Sequence, residues 1–198
     1  MNEGSKILAI GAHPDDLTLG CYGTLLKAVA HSEVHVLSLS GRGTDQHPEF
    51  FRAFNDLATT IHITSMEPTF FRGANHEVRI IDELIEEHGI DVVISHAPWD
   101  HHRDHRVVAE MTETACRRRQ VDRLSYQAIS GTDAFQVNLT SGITRQWGPK
   151  MRALTCHKSM AHKPYMDEGY LKGWHMDKRA WAAGMQYVEL LHVHQLWM

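Results

Sequence analysis

Three side chains suited to metal binding or proton transfer stand close together near the start of the chain. His13, Asp15 and Asp16 follow an uninterrupted apolar run at residues 7–10 and a Gly-Ala pair. Imidazole and carboxylate groups bind Zn²⁺ and other divalent ions, and carboxylates also move protons in catalysis. Taken alone, the stretch is equally typical of a turn in which an aspartate caps the next helix.

A second cluster of the same chemistry lies near the middle of the chain. His102, Asp104 and His105 belong to the run Asp-His-His-Arg-Asp-His at residues 100–105. Because histidine is doubled there, the choice of His102 over His101 depends on the His-x-Asp-His spacing. Together the two clusters can supply three protein ligands, and catalytic zinc sites have three protein ligands and one position open for water.

Both clusters are predicted to follow buried strands. Apolar runs favour strands at 6–10, 34–40 and 91–95, a short strand is predicted at 61–64, and helical spacing predicts helices over 18–31, 49–60, 78–88 and 106–118. This alternation predicts an α/β fold, a Rossmann-like, mostly parallel sheet with helices on both faces. Ligands of such sheets bind beyond the carboxyl ends of the strands, where we expect the two clusters to meet.

The pattern weakens after residue 120. Strands are predicted at 124–130, 134–140 and 188–194, and a helix at 149–162. No linker or repeat divides the chain, and 198 residues can bury one substantial core, so we expect a single domain over residues 1–198. The loops at 41–47, 67–76 and 165–174 have no recognisable motif and are expected to set substrate specificity.

Composition narrows the class of protein. A formal net charge of −4 and a pI near 6.4 provide no electrostatic basis for binding nucleic acid. No apolar run approaches the length of a membrane span, and three scattered cysteines favour free thiols in a reducing compartment. We therefore expect a cytoplasmic protein whose partner is a small molecule, with its oligomeric state left open.

The two clusters resemble the paired signature of the PIG-L/LmbE-like zinc deacetylases. The match consists of Ala-His-Pro-Asp-Asp at 12–16 and His-Arg-Asp-His at 102–105. Members of this family remove acetyl groups from N-acetylglucosaminyl substrates, so the resemblance implies an N-deacetylase acting on an acetamido sugar or glycoconjugate. Weaker similarities extend the match: Arg52 at the family's Arg-x-x-Glu helix, Val-Asn-Leu-Thr at 137–140, His-Lys-Ser at 157–159 and Tyr-Val-Glu at 187–189.

The resemblance also implies a role for each polar side chain. His13, Asp16 and His105 would be the metal ligands, with Zn²⁺ as the expected ion and Fe²⁺ as an alternative. Asp15 would be the general base that takes a proton from water. His102, in its protonated form, would stabilise the oxyanion or donate the proton that lets the amine leave.

Three further side chains receive supporting roles. Asp104 would orient His102 and stabilise its charge. Arg52 is a candidate for binding substrate oxygens, with an ordinary surface position as the alternative. Trp99, in the loop before the second motif, is a candidate for stacking on a sugar ring, with a core position as the alternative.

Four positions depart from the family pattern and put the usual substrate in question. The family has acidic residues at the first three and glutamine at the last, whereas this chain has Leu17, Asn55, Asn138 and Met160. One alternative that these changes favour is a non-catalytic module that binds a metal or a sugar. A second alternative is a metal-dependent hydratase or lyase, because some proteins of this fold resemble enzymes that add water to a double bond.

Overall fold

One seven-stranded sheet organises the chain, which a computed structural model describes over residues 4–57, 59–69, 71–177 and 184–197. The strands are β1 (Lys6–Gly11), β2 (Glu33–Ser40), β3 (Thr60–Met66), β4 (Val92–His96), β5 (Asp122–Tyr126), β6 (Leu139–Gly142) and β7 (Val188–Gln195). The helices are α1 (Asp16–Gly20), α2 (Tyr22–Ala28), α3 (Gln46–Phe54), α4 (Asn75–His88), α5 (Arg103–Cys116), α6 (Trp147–Leu154) and α7 (Glu168–His175).

The sheet is mostly parallel, as predicted. Its strand order is β3-β2-β1-β4-β5-β7-β6. The first five strands pair in parallel, and β7 pairs antiparallel with both β5 and β6. The predicted Rossmann-like α/β class is therefore confirmed.

Strand β1 is buried on both faces, which explains its uninterrupted apolar sequence. Ile7 belongs to a core that contains residues of α2, α3 and α6. Its neighbour Leu8 points the opposite way, into a core that contains residues of α4 and α5. No helix in the described ranges is both long and apolar enough to cross a lipid bilayer.

The order of the strands creates a crevice beside β1. The chain leaves β1 toward β2 on one side and later forms β4 on the other side. The loops that follow β1 and β4 therefore diverge above neighbouring strands, and ligands of open α/β sheets bind at this kind of switch point.

The helix predicted over 18–31 is broken, so that part of the prediction is wrong. Cys21 separates α1 from α2 with a non-helical φ of −145°. The break brings Gly20 against the ring of Tyr126 so closely that a Cβ at Gly20 would overlap the ring. Tyr126 lies on β5, so this contact joins residues that are distant in sequence.

Other boundaries also differ from prediction. Helix α3 ends at Phe54, and Thr60 already belongs to β3. The strand predicted at 134–140 is β6, which pairs over residues 139–142 only. The helix predicted at 149–162 stops at Leu154. The chain then forms a 3₁₀ turn at Lys158–Met160, where Glu49 accepts hydrogen bonds from the amide and hydroxyl of Ser159.

A buried ion pair fastens α6 and α2 to β7. Lys150 Nζ lies 2.6 Å from Glu189 Oε1, and neither side chain is exposed to solvent. The same carboxylate accepts hydrogen bonds from the amides of Gly23 and Thr24 at the start of α2. Removing one partner of such a pair leaves an uncompensated buried charge.

We expect Lys150→Met to lower the free energy of unfolding by about 3–5 kcal/mol, because it leaves Glu189 without its cation. The measurement is urea denaturation followed by circular dichroism. Lys172→Met is the matched control, since Lys172 pairs with Glu168 on the surface and an exposed pair contributes less than about 1 kcal/mol. Equal effects of the two substitutions would contradict the assignment.

Candidate active site

The two predicted polar clusters meet in the crevice beyond β1 and β4. His13 and Asp16 come from the β1 side, and His105 comes from the first turns of α5. His13 Nδ1 lies 3.3 Å from Asp16 Oδ2, and His105 Nε2 lies 3.3 Å from Asp16 Oδ1. One ligand atom from each of the three side chains lies within 4.8 Å of the others, so the structure brings the predicted ligands together.

A carboxylate fixes the orientation of His105. Asp100 Oδ2 lies 3.0 Å from His105 Nδ1, and the Ser130 hydroxyl lies 3.1 Å from the same nitrogen. When His105 Nδ1–H donates to Asp100, the lone pair of Nε2 points toward Asp16. Such carboxylate–histidine pairs set the tautomer of metal-binding histidines.

Asp104 does the same for His13, which differs from the predicted arrangement. Asp104 Oδ2 lies 3.2 Å from His13 Nε2 and accepts a hydrogen bond from the Thr69 amide. Its link to His102 runs through the backbone, because the Asp104 amide donates to His102 Nδ1 across 3.2 Å. The structure therefore gives the Asp104 carboxylate His13 as its hydrogen-bond partner, whereas the sequence predicted His102.

His102 lines the crevice, whereas His101 lies outside its described lining. The His102 ring stacks on His105 with centroids 4.5 Å apart and meets His13 edge-on at 4.9 Å. Burial and the neighbouring His105 and His13 rings lower its pKa. Because Nδ1 accepts from the Asp104 amide, the neutral ring carries its proton on Nε2.

Asp15 is buried beside the ligand set and also lines the crevice. Burial, together with the neighbouring charge of Asp16, raises the pKa of Asp15 to about 6. Tyr165, from a 3₁₀ turn before α7, also lines the crevice; burial and the nearby Asp15 and Asp16 charges raise the pKa of its phenol. The sequence offered no signal for Tyr165.

The crevice has a negative field that favours cations. Burial alone would disfavour a charged His105 ring, but Asp16 and Asp100 outweigh burial and raise its pKa to about 10. Burial likewise opposes ionisation of Asp16, yet His105, His96 and His13 hold its pKa well below the usual range. Groups that stabilise a protonated imidazole at this point also stabilise a bound metal ion.

The donor set fits a divalent metal. Ligands at zinc distances in a tetrahedral site lie about 3.3 Å apart, which agrees with the 3.3 Å separations of Asp16 from His13 and His105. Two imidazoles and a carboxylate suit Zn²⁺ and Fe²⁺. In addition, Asp104 Oδ1 is buried and finds no hydrogen-bond partner among the described residues, so the site has acceptor capacity to spare.

The crevice opens into a cavity of about 500 Å³. Its described lining includes residues from each of the three loops expected to set specificity, namely Gln46, Pro68 and Tyr165. Lys163 and Met160 add a cation and an apolar contact. A cavity of this size can accommodate a sugar-sized ligand.

Arg52 and Trp99 are not among the described residues that line this cavity. Helix α3 buries Phe50, Ala53 and Phe54, and this spacing turns Arg52 outward to solvent. Trp99 packs against His194, with ring centroids 5.9 Å apart, on the far side of His96. Arg52 is therefore exposed at the surface, which is the alternative stated for it, whereas Trp99 is half-buried against His194 and is not part of the core.

Two polar residues of α3 that precede Arg52 make contacts that the sequence did not predict. Gln46 lines the cavity, and Glu49, three positions later, binds Ser159 of the His-Lys-Ser stretch. The spacing of the Arg-x-x-Glu helix is thus met at these two positions, and an acid is present after all. Both positions were missed because the match was made at the arginine.

The other departures have separate explanations. Leu17 is fully buried in the core, and Asn138 exchanges hydrogen bonds with the Val193 backbone beside β7. Met160 alone among the four departing positions lines the described cavity. The late Glu189 match is the buried partner of Lys150, so it is a structural residue.

His96 is a further site residue that the sequence analysis overlooked. It ends β4, and its Nε2 lies 3.1 Å from Asp16 Oδ2 and 2.9 Å from the Tyr126 hydroxyl. Burial and His105 lower its pKa to about 4, so the ring is neutral. Its position was the available signal: His96 directly follows the strand predicted at 91–95 and begins the predicted loop that carries Asp100.

Comparison with known proteins agrees with this geometry. The model of the PIG-L family, described as GlcNAc-PI de-N-acetylase, matches residues 8–116, which is more than half of the chain. The protein named uncharacterized deacetylase YaiS, from Escherichia coli K12, is 30% identical over 175 residues, covering 80% of this chain and 93% of that protein.

Solved structures share the fold across almost the whole chain. The hydratase GalB from Pseudomonas putida KT2440, which acts on 4-carboxy-2-hydroxymuconate, superposes with a TM-score of 0.81 at 16% identity over 98% of both chains. The N,N'-diacetylchitobiose deacetylase from Pyrococcus horikoshii gives a TM-score of 0.76 at 18% identity, covering 96% of this chain and 83% of that one.

The structural similarities establish the fold, and the sequence matches establish the kinship. With both motifs of the resemblance gathered in one crevice, the chain belongs to the PIG-L family of deacetylases.

Proposed function

We propose that this protein is a divalent-metal-dependent N-deacetylase that releases acetate from an N-acetylglucosamine-type sugar conjugate or a related amide. The observation that carries the proposal is the convergence of His13, Asp16 and His105 within 4.8 Å, beside a buried carboxylate, Asp15, that is outside that ligand set. Family membership supports hydrolysis of an amide over the other two functions considered.

His13, Asp16 and His105 would hold the ion, with Zn²⁺ expected and Fe²⁺ as the alternative. When bound, the ion supplies a Lewis acid that polarises the amide carbonyl and lowers the pKa of water. Asp100 and Asp104 orient the two imidazoles from behind. Both carboxylates are therefore positioning residues in this proposal.

Asp15 is the group that moves a proton. Its carboxylate lines the cavity next to the ligands and would accept a proton from the water whose oxygen attacks the acetyl carbon. The bond between that carbon and nitrogen then breaks, and the nitrogen takes up the proton. The products are acetate and the free amine.

His102 would stabilise the negative charge that develops on the carbonyl oxygen. Its Nδ1 is occupied by the Asp104 amide, so the neutral ring offers Nε2–H as a hydrogen-bond donor. This differs from the protonated form expected from the sequence, because its pKa is lowered by burial, His105 and His13.

The cavity supports a sugar amide as the substrate class. Gln46, Ser130 and Lys163 provide hydrogen-bonding groups for hydroxyl oxygens, and Pro68 and Met160 provide apolar surface. The described family activity concerns an N-acetylglucosaminyl lipid, and the Pyrococcus relative is named for an acetylated chitobiose.

The direct test is acetate release from a panel of N-acetylglucosamine conjugates, with a chelator and after Zn²⁺ or Fe²⁺ is restored. We expect turnover of at least one conjugate, its loss on chelation and its recovery with metal. An unsaturated dicarboxylic acid in the same panel tests the hydratase alternative. Hydration of that acid without acetate release from any conjugate would overturn the proposal.

We expect Asp104→Asn to weaken metal binding in the crevice by about 10–100-fold, because it weakens the acceptor that orients His13. Competition with a chromophoric chelator measures the affinity. Asp133→Asn is the matched control, since Asp133 is exposed and should bind metal like the parent. An unchanged affinity in Asp104→Asn would show that the carboxylate does not support the ligand.

A further inference from the structure

A second histidine cluster lies at the opposite end of the sheet from the crevice. His35 and His62 are near the amino ends of β2 and β3, and His88 is the last residue of α4. One nitrogen from each ring lies within 4.8 Å of the others. The crevice, in contrast, is built at the carboxyl ends of β1 and β4.

The geometry of the rings fits imidazole ligation. His35 Nδ1 lies 3.2 Å from His62 Nε2, close to the separation of about 3.3 Å between two nitrogen ligands of tetrahedral zinc. The His88 ring centroid is 4.3 Å from that of His35 and 5.4 Å from that of His62. The three ring centroids thus lie within 5.5 Å of one another.

Glu33 determines which nitrogen of His35 is free to bind. Glu33 Oε1 lies 2.9 Å from His35 Nε2, and a carboxylate can only accept, so Nε2 carries the proton. In the neutral ring, Nδ1 then presents its lone pair to the other two histidines. This is the carboxylate–histidine arrangement that supports metal ligands, and His13 and His105 have it in the crevice.

The ligands are held by rigid elements. In the parallel pairing of β2 and β3, His62 is opposite Leu37, two residues beyond His35 and therefore on the same face. His88 is fixed by a helix end capped by Gly89, whose φ of +62° suits glycine. Lys6 Nζ also donates to the His88 carbonyl across 3.1 Å.

We propose that His35, His62 and His88 form a second metal site that binds a first-row divalent cation such as Zn²⁺. Three imidazoles favour such ions over Mg²⁺, which prefers oxygen ligands. His35 is buried, whereas His62 and His88 are half-buried, so an ion has access from solvent. The proposal stands apart from the deacetylase function and does not depend on it.

A bound ion would tie three elements together. β3 is an edge strand of the sheet. Among the described residues, it is held by its pairing with β2 and by packing against helices. An ion held by all three histidines would link this edge strand to the end of α4. Since binding to the folded state stabilises it, Zn²⁺ should raise the melting temperature through this site.

The experiment uses equilibrium dialysis against Zn²⁺ with the crevice ligands removed. We expect the parent chain to bind two ions, His13→Ala/His105→Ala to bind one, and that variant with His62→Ala added to bind none. In the same background, His76→Ala should still bind one, because His76 is an exposed residue in the first turn of α4. Mg²⁺ should not compete.

Thermal melting, and a variant that keeps all three ligands, test whether a loss of binding is caused by misfolding. In chelator, the His13→Ala/His105→Ala background and its His62→Ala derivative should melt alike, and Zn²⁺ should raise the melting temperature of the background but not of that derivative. Glu33→Gln retains all three ligands and should weaken binding about 10–100-fold. A parent with one ion that is lost in His62→Ala but kept in His13→Ala would support this site while contradicting the crevice site.

Two results would overturn the proposal. One is a folded His13→Ala/His105→Ala variant that binds no Zn²⁺. The other is a bound ion that survives both His62→Ala and His88→Ala in that background, because the ion would then lie elsewhere.

Discussion

The buried Asp16 carboxylate is the charge on which the crevice depends. Only 8% of the residue is exposed, and an isolated carboxylate at such a place would be strongly disfavoured. It is compensated from two loops at once: the His13 amide donates to it across 2.7 Å, and the His96 and His105 rings approach to 3.1 and 3.3 Å. Because these histidines contact the same carboxylate, they already lie around the point where a cation would bind.

The pairing of β1 with β4 accounts for this convergence of side chains. β1 and β4 are paired neighbours, with Ile7 opposite Val92 and Ala9 opposite Ile94, so their carboxyl ends stand at the same level. The single connection from β4 into α5 then provides a ligand, His105, and its orienting partner Asp100. It also provides Asp104, which reaches back to His13. A short segment of chain thus completes a site begun by the first strand.

The parts predictable from sequence were those fixed by local pattern and strand direction. An apolar run buried on both faces implies a parallel sheet, and two polar motifs at strand ends then share one edge, so the meeting of the two clusters could be anticipated. The choice of His13, Asp16 and His105 as ligands came from the family resemblance. The partner of Asp104 could not be, because it depends on how the β4–α5 loop folds over β1. The same applies to the break at Cys21, beside which Gly20 packs against Tyr126 of a distant strand.

Several other positions were hidden for similar reasons. Arg52 matched a family residue by type, yet the buried face of α3 turns it to solvent and brings Gln46 to the cavity. Tyr165 reaches Asp15 from a 3₁₀ turn that has no periodic pattern. His35, His62 and His88 are isolated in sequence, and only the strand register and the helix end assemble them.

In the proposed function the two adjacent carboxylates have different roles: Asp16 would bind the metal, and Asp15 would accept a proton. The most direct measurement is metal content per chain, alongside acetate release, in Asp15→Asn and Asp16→Asn. We expect Asp15→Asn to keep the parent's metal content but lose turnover, whereas Asp16→Asn should bind one ion fewer. Loss of the ion in Asp15→Asn, or full turnover in that variant, would contradict the division.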